Sequence, residues 1–323
     1  MIKTKLKGGS LSATYLCDRA GNKFVRKEVS TTDNREYGFV RWYSQLKKLQ
    51  RMGQEFPDLF PRVLSVSIER NTAYFDIEYF HDFVDLKTFL CSAEISSDTL
   101  EKIVTQVFDS LSILHAKTYR ASPDAAKLYY YEEVIQKIAD AVASSTDFAE
   151  FYEIGNYQFH GEEVNAIQQY LPALEQFFAT FNVTTECYVH GNPTLENIMY
   201  SPSNDIVKFI DLYEEGIIDC PELDFSQILQ CSHSYYGFIN DNSVVVNNNI
   251  VSHDLSVPQA LQDFNKVFES KLSNFDMRIL RIFEATQFIR MLPFKCAAGD
   301  ITKAKYFYTH ACYLLGRCFN ESN

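Results

Sequence analysis

The sequence predicts an α+β fold, in which a small β-rich N-terminal part precedes a larger, mainly helical part. Strand-like runs and turn clusters dominate the first 80 residues, whereas apolar stripes at helical spacing dominate the rest. A short β-rich island, residues 186–212, interrupts the helical part. With 323 residues and 46% hydrophobic content, the chain can form one large domain or two modest ones. We expect a first domain at residues 1–81 and a second at 82–323.

Local patterns predict the elements of the N-terminal part. Turn-forming residues at 18–22 separate two strand-like runs and indicate a hairpin. Apolar residues three to four apart then indicate a helix, which Gly53 could end. The expected elements are a hairpin of Ala13–Cys17 with Lys23–Val29, a helix from Asp33 or Asn34 to Met52, and strands at Val63–Glu69 and Ala73–Tyr79.

Beyond Phe83 the pattern is typical of helices packed on a core. Ser97 is the expected N-cap of the first long helix, since acidic residues follow it in the first turn and an apolar stripe continues to Leu114. The further expected helices are Asn165–Phe181, Pro258–Leu272, Phe283–Leu292 and Thr302–Phe319. The Asn-rich stretch 240–249 is expected to form a loop or a short exposed excursion.

Charge and cysteine usage limit the classes of partner and compartment. A net charge of −12 repels nucleic acid and anionic membranes, and it mildly favours a cationic substrate. The eight Cys residues form no CxxC pair and are typical of reduced, partly buried thiols. No run approaches the roughly 20 apolar residues of a membrane span, and no apolar stretch follows the basic start. We therefore expect a cytoplasmic protein that binds neither nucleic acid nor membrane.

The strongest functional motif lies in the β-rich island. The segment Tyr188–Tyr200 reads YVHGNPTLENIMY, and VKFIDL follows it at residues 207–212. A loop between two strands places polar side chains on one rim, and the end of the next strand places a carboxylate opposite them. Asn197 and Asp211 are oxygen ligands of the kind that Mg²⁺ prefers.

These residues resemble the HGDxxxxN loop and the following ID segment of the aminoglycoside phosphotransferase and choline kinase-like family. The resemblance matches the family's His to His190, its metal-binding Asn to Asn197 and its metal-binding Asp to Asp211. The stretch 219–225 resembles the family's D-P-x-x-D-L segment, in which Asp224 would brace the catalytic loop. The resemblance implies a two-lobed protein-kinase-like fold, ATP or GTP with Mg²⁺, and phosphoryl transfer to a hydroxyl of a small molecule.

The same resemblance implies a nucleotide site in the N-terminal part. Gly8, Gly9 and Ser10 lie in a small-residue loop that resembles the phosphate-covering loop, although a plain turn fits this pattern as well. Lys27 stands where the family's phosphate-binding strand lysine belongs, and Glu36 is its expected ion-pair partner. Strand alternation should turn the neighbours of Lys27 to the opposite face.

The connector between the two parts is the expected contact for the purine. Glu78 and Phe80 would lie in it, with their backbone available to the base. The acceptor would be a sugar or an amino alcohol. Tyr129–Glu133 and Ser234–Tyr236 are candidate walls for it, but core packing is the favoured interpretation of these tyrosines. His115 is expected to be a core histidine.

The motif departs from the family at its centre. Asn192 stands where the family has its catalytic Asp, and an amide cannot accept a hydroxyl proton as a carboxylate does. Three interpretations stay open: a weakened enzyme, a natural pseudokinase that binds nucleotide and regulates a partner, or a residue changed by experiment. A protein kinase is disfavoured, because the span between Asp211 and Asp224 is too short for an activation loop.

Overall fold

The computed structural model describes residues 2–6, 12–33, 35–92, 94–120, 124–181, 185–214 and 216–320. It has a β-sheet in its N-terminal part and a mainly helical C-terminal part, which confirms the sequence prediction at this level. Two compact units are present. The first contains residues 1–89 and 190–216, and the second contains residues 90–189 and 217–323. The first unit is therefore discontinuous in sequence, because it takes up most of the predicted β-rich island.

Short strands make up four sheets in the described chain. In chain order the strands are β1 (Ile2–Lys5), β2 (Ala13–Arg19), β3 (Asn22–Ser30), β4 (Val63–Ile68), β5 (Thr72–Glu78), β6 (Val84–Asp85), β7 (Thr118–Arg120), β8 (Asn156–Phe159), β9 (Glu162–Asn165), β10 (Thr185–Cys187), β11 (Ile198–Ser201), β12 (Ile206–Phe209), β13 (Val245–Asn247) and β14 (Ile250–Ser252). The first unit holds an antiparallel sheet of order β1-β2-β3-β5-β4 and a smaller sheet of order β12-β11-β6. The second unit holds the pair β10-β7 and a sheet of order β13-β14-β8-β9.

Helices account for most of the second unit, whereas α1 belongs to the first and α2 begins in it. In chain order the helices are α1 (Arg41–Glu55), α2 (Leu86–Ser92), α3 (Ser97–His115), α4 (Ala125–Tyr129), α5 (Gln136–Ser144), α6 (Thr146–Tyr152), α7 (Leu171–Thr180), α8 (Pro221–Ser232), α9 (Tyr236–Asp241), α10 (Gln259–Lys271), α11 (Met277–Ala297) and α12 (Ile301–Asn320). A π-helical segment, Glu36–Val40, leads into α1, and another, Tyr130–Ile135, joins α4 to α5. No helix in the described ranges is both long and apolar enough to cross a membrane.

The predicted hairpin forms as β2 and β3. Ala20 and Gly21 connect the strands, and both have positive φ angles, of 54° and 87°. Two successive positive φ angles give the tight turn whose twist matches that of the flanking strands. The Gly21 amide donates to the Asp18 carboxylate at 2.8 Å, which fixes the turn.

Helix α1 continues beyond the predicted end at Gly53. It reaches Glu55, and its buried face, which includes Trp42, packs on Phe75 of β5 with ring centroids 5.2 Å apart. A Cβ atom at Gly53 would lie 3.4 Å from the Pro61 carbonyl oxygen. The glycine therefore permits a close approach of the following chain and does not end the helix.

Two predicted helix starts in the second unit are corrected. The N-cap of α3 is Ser96 and not Ser97, because the Ser96 hydroxyl accepts from the Thr99 amide at 3.2 Å. The helix expected from Asn165 begins only at Leu171. Asn165 instead ends β9, which pairs with β8 across a turn at residues 160–161 whose φ angles are positive. The Asn-rich stretch contains β13, which forms a short hairpin with β14 immediately after the stretch.

The helical core buries an uncharged histidine. His310 of α12 is 7% exposed, and its ring stacks on Phe288 with centroids 4.7 Å apart. Burial lowers the pKa of His310 to about 3 from its ordinary value of 6.5. Between these two values the unfolded chain binds a proton that the folded chain does not. The stabilisation that His310 provides is therefore complete above pH 6.5 and is lost as the pH falls below it.

We expect His310→Phe to flatten the acid side of the stability curve. His310 should contribute a slope of about 1.4 kcal/mol per pH unit between pH 6 and pH 4.5, because one proton separates the folded and unfolded states there. Urea unfolding at several pH values measures this slope. Parallel curves for His310→Phe and the unmodified protein would contradict the prediction.

Candidate functional site

Lys27 lies on the face of β3 that packs against α1. In the register with β5, Arg26 lies opposite Asp76 and Lys27 opposite Phe75. Arg26 turns to the other face of the sheet, where it makes a bidentate ion pair with Asp76 at 2.6 and 2.8 Å. The predicted strand alternation is thus confirmed. Of these two cations, only Lys27 lies on the face of the sheet that packs against α1.

Lys27 and Asp211 form an ion pair within the first unit. The two residues are 184 positions apart, and each is partly buried, with 12% of the Lys27 side chain and 30% of the Asp211 side chain exposed. Lys27 Nζ also donates to Gln45 Oε1 at 3.2 Å. The predicted phosphate-binding lysine and the predicted metal-binding aspartate therefore lie in direct contact.

Gln45 of α1 connects both members of this pair. Its Nε2 donates to Asp211 Oδ1 at 3.1 Å and to the Leu212 carbonyl at 2.7 Å, while its Oε1 accepts from Lys27. The sequence does not reveal Gln45 as a partner of Lys27, because the family pattern implies a carboxylate there. A polar residue among the buried positions of α1, between Trp42 and Leu46, was the available signal.

Glu36 is not the partner of Lys27, which corrects the sequence prediction. It lies in the exposed first turn of the π-helical segment before α1. Gln45 lies instead on the buried face of α1, which packs against β3, and there it accepts a hydrogen bond from Lys27. The helix thus presents a neutral amide to the lysine, and Asp211 supplies the negative charge.

Asp211 has an unusual backbone and an ionised carboxylate. Its φ angle is +57°, in the left-handed region that Asp tolerates better than most residues. Burial by itself would raise the pKa of the carboxyl, but the Lys27 ammonium and the Gln45 amide outweigh burial and hold the pKa below its ordinary value of 3.8. The stabilisation from this carboxylate is present above pH 3.8 and is lost as the pH falls through the lower folded pKa.

His190 is buried and braces the loop. It is fully buried, between the rings of Phe60 and Phe209. Its Nδ1 accepts from the Asn192 amide at 3.1 Å, so its Nε2 carries the proton and donates to the Ile210 carbonyl at 3.0 Å. The sequence placed His190 among the catalytic residues, whereas the geometry gives it a positioning role, because neither ring nitrogen faces solvent.

Backbone hydrogen bonds hold the loop around Asn192. The Asn192 carbonyl accepts from the Thr194 amide at 2.9 Å and from Asn197 Nδ2 at 3.0 Å. The Asn197 carbonyl in turn accepts from the Ile210 amide at 2.9 Å. Asn197 therefore uses its amide nitrogen within the loop and keeps its Oδ1 as the candidate metal ligand, next to the residue that precedes Asp211.

Gly191 is required by both conformation and space. Its φ angle is +80°, and a Cβ atom there would lie 2.9 Å from Tyr213 Cβ and 3.6 Å from Lys48 Nζ. The Tyr213 amide donates to the His190 carbonyl at 3.1 Å, which draws the two segments together. Lys48 of α1 is thus a buried cation beside the loop, and no sequence motif includes it.

Gly191→Ala should destabilise the first unit by about 2 kcal/mol or more, because it adds a side chain at positive φ and forces Tyr213 to move. Gly21→Ala is a matched control, since Gly21 has φ +87° and nothing within 4 Å of its Cβ position. Thermal unfolding of both variants measures the difference, which reports the Tyr213 contact alone. Equal losses in the two variants would show that the loop adjusts freely.

Glu214 is engaged by α1. It forms an ion pair with Arg41, whose Nη2 also lies 3.4 Å from the Tyr213 hydroxyl. The Arg41 guanidinium lies over the Tyr37 ring at 4.8 Å. Glu214 thus neutralises a cation of α1, as Asp211 neutralises Lys27 of β3.

The two residues that were expected to contact the purine are only partly accessible. The Glu78 amide donates to the Arg62 carbonyl at 3.0 Å, and the Glu78 carboxylate pairs with the Arg62 guanidinium at 3.3 Å. Phe80 is buried, and Lys208 Nζ lies over its ring at 4.8 Å. Gly8, Gly9 and Ser10 lie outside the described residues.

In the second unit, Asp224 and His115 satisfy each other. The buried Asp224 carboxylate lies 3.0 Å from His115 Nε2, so His115 is the core histidine that the sequence predicted. Core packing also accounts for two candidate wall tyrosines. Tyr129 is buried and bonds the Thr286 hydroxyl at 2.8 Å, and Tyr236 packs on Phe288.

The donor set of the first unit fits a magnesium ion that is bound together with phosphates. Mg²⁺ commonly takes one or two carboxylates and completes its shell with substrate phosphates and water. Asp211 and Asn197 supply one carboxylate and one amide oxygen. No cluster of three or more His, Cys, Asp or Glu side chains suited to a metal occurs among the described residues.

Comparison with known proteins identifies no family for this chain, so the chemistry of the site is inferred from its geometry. No protein-family model and no curated protein sequence matches this chain.

Proposed function

We propose that this protein is an ATP- or GTP-dependent phosphotransferase that acts on a hydroxyl group of a small molecule, a sugar or an amino alcohol. In this proposal the chain has the two-lobed protein-kinase-like fold of the family that its motifs resemble. Lys27 binds the nucleotide phosphates, Asp211 and Asn197 hold Mg²⁺, and the side chain at position 192 orients the acceptor hydroxyl.

The contact between Lys27 and Asp211 is the observation that carries the proposal. A cation for phosphates and a carboxylate for a metal come from segments 184 positions apart, and Gln45 bonds both. Phosphoryl transfer needs mainly such positioning and charge stabilisation. The Ile210 amide donates to the Asn197 carbonyl, so the loop that carries Asn192 and Asn197 is attached to the chain directly before Asp211. This loop supplies the two amide side chains that the proposal uses.

Asn192 supports a second candidate function, a pseudokinase that binds nucleotide and acts on a partner. The Asn192 side chain is partly exposed and has no hydrogen-bond partner in the described part of the chain, so it remains available to a bound molecule. Its amide can accept a hydrogen bond but is not basic. Binding of nucleotide without turnover is the behaviour that this alternative predicts.

A nucleotide-consumption screen separates the two functions. The protein is incubated with ATP or GTP, Mg²⁺ and panels of neutral sugars and amino alcohols, and calorimetry measures nucleotide binding in parallel. Acceptor-dependent release of ADP or GDP supports the phosphotransferase. Binding without turnover, in this chain and in Asn192→Asp, supports the pseudokinase. Absence of nucleotide binding would overturn both.

A further inference from the structure

The Gln45 side chain is held in one orientation. The Leu212 carbonyl can only accept, so the part of the Gln45 amide that lies 2.7 Å from it is the NH₂ group. The Lys27 ammonium can only donate, so the part that lies 3.2 Å from it is Oε1. A flipped amide would lose both bonds, and at 6% exposure Gln45 has little access to water that could replace them.

The two oxygens of the Asp211 carboxylate differ in their surroundings. Oδ1 accepts from Lys27 Nζ and from Gln45 Nε2, the latter at 3.1 Å. Oδ2 makes no hydrogen bond with any residue that the structure describes, and 30% of the Asp211 side chain is exposed. Oδ2 is therefore the oxygen that a metal ion can reach, whereas an ammonium group is bound to the other oxygen of the same carboxylate.

One carboxylate serves two cations in this arrangement. Within the described residues Asp211 is the carboxylate that pairs with Lys27, and α1 contributes a neutral amide where it meets Lys27. The Lys27 side chain is 12% exposed, so salt screens this pair less than it would screen a surface pair. A dication at Oδ2 would meet the ammonium, and the two positive charges would repel each other. Lys27 and a metal ion therefore compete for the charge of Asp211.

We propose that Gln45 is a positioning residue that makes metal binding at Asp211 depend on an anion at Lys27. The amide holds Lys27 and Asp211 together but adds no charge, so the carboxylate stays neutralised in the free protein. Phosphate oxygens that bind Lys27 supply negative charge in place of Asp211, which then keeps its own charge for a metal. The inference rests on the proposed function for the identity of the anion, a nucleotide, whereas the competition for Asp211 can be measured without one.

Replacement of Gln45 by Glu should remove this dependence. The variant side chain has the same length, and its carboxylate would pair with Lys27 from α1, so that Asp211 keeps its charge without an anion. Lys27→Met should act in the same direction, because it removes the competing cation. Groups that contact a metal ligand commonly change metal affinity by about 10–100-fold, so each variant should bind a metal alone about tenfold more tightly or better.

Binding of Mn²⁺ to the full chain without nucleotide tests the inference. Mn²⁺ is the probe for the magnesium site, because electron paramagnetic resonance measures its free concentration. We expect weak binding by the unmodified chain and a gain of about tenfold or more in Gln45→Glu and in Lys27→Met. Damage to the fold cannot produce such a gain. Addition of Asp211→Ala to either variant should abolish it, and a gain that persists without Asp211 would overturn the inference.

Two substitutions at exposed positions of α1 are the matched controls. Gln54→Glu adds the same charge as Gln45→Glu, and Lys47→Met removes the same charge as Lys27→Met. Both should leave the Mn²⁺ affinity unchanged. Equal gains in the controls would show that net charge controls the metal, and Mn²⁺ binding by the unmodified chain as tight as in the variants would show that Lys27 does not compete. Either result would overturn the inference.

Coupling between metal and nucleotide gives a second measurement. Calorimetry compares the affinity for ATP in EDTA with the affinity in saturating Mg²⁺. Since the effects of two ligands on each other are reciprocal, the unmodified chain should bind ATP about tenfold or more tightly with Mg²⁺ than without it. The ratio should be smaller in Gln45→Glu, and an unchanged ratio would contradict the role of Gln45.

The outcomes also separate this inference from the proposed function. Gains in Mn²⁺ affinity in both variants, without nucleotide binding by any form of the chain, would support the competition for Asp211 and contradict the phosphotransferase. Phosphoryl transfer by the chain, without a gain in either variant, would contradict the inference and support the phosphotransferase.

Discussion

Asn192→Asp should raise phosphoryl turnover by about two orders of magnitude or more. A positioned general base contributes about 10²–10⁴-fold in rate, and a carboxylate at this position would provide the basicity that the amide lacks. The loop should tolerate the change. Its hydrogen bonds use the backbone amide and carbonyl of Asn192, and the side chain has no partner within the described residues.

Nucleotide affinity is the internal control for this prediction. Position 192 should affect the acceptor step, so the Kd for Mg-nucleotide should change little while kcat rises. Asn192→Ala keeps the backbone bonds but has no oxygen, and it should show no gain. Turnover at ordinary kinase rates, roughly 1–100 per second, by the unmodified chain would show that another group is the base.

Lys27→Met should weaken binding of Mg-nucleotide about tenfold or more. A hydrogen bond to a charged group contributes roughly 1.5–3 kcal/mol, and Lys27 would make such bonds to the phosphates. Asp211→Ala should abolish the dependence of binding on Mg²⁺, because Asp211 is the carboxylate assigned to the metal. Asn197→Ala should have a smaller effect, since a neutral amide contributes less to a dication.

Calorimetry with and without Mg²⁺ measures both effects. Lys47→Met is the matched control for Lys27, because Lys47 is an exposed lysine of α1 in the same unit. Circular dichroism checks the fold, since Lys27→Met also removes the ion-pair partner of Asp211. Unchanged affinity in Lys27→Met would exclude Lys27 from the phosphate site, and retained Mg²⁺ dependence in Asp211→Ala would exclude Asp211 from the metal site.

The sequence predicted the elements whose signals are local. The hairpin of β2 and β3 was found because turn residues stand between alternating strands, and α10 to α12 because apolar residues recur at helical spacing. The end of α1 was missed, because Gly53 serves a close contact with Pro61 that only the tertiary structure creates. The hairpin of β8 and β9 was missed because its turn begins at His160, which carries no turn signal.

The residues of the candidate site also divide into those that sequence motifs predict and those that only the tertiary structure reveals. Lys27, Asn197 and Asp211 were found through motifs, and the structure brings Lys27 and Asp211 together. Gln45 was missed, because one polar residue in an amphipathic helix does not reveal which side chain it meets.

The discontinuity of the first unit has a consequence for synthesis of the chain on the ribosome. About 100 residues separate its two segments, 1–89 and 190–216. At roughly 5–20 residues per second, the N-terminal segment waits about 5–20 s before the second segment is made. During this interval Lys27 and Gln45 have no Asp211 to bind, and the partner strand of β6 does not yet exist. A nascent chain stalled before residue 190 should therefore remain sensitive to protease in its first 89 residues, and protection should appear once residue 216 has left the exit tunnel.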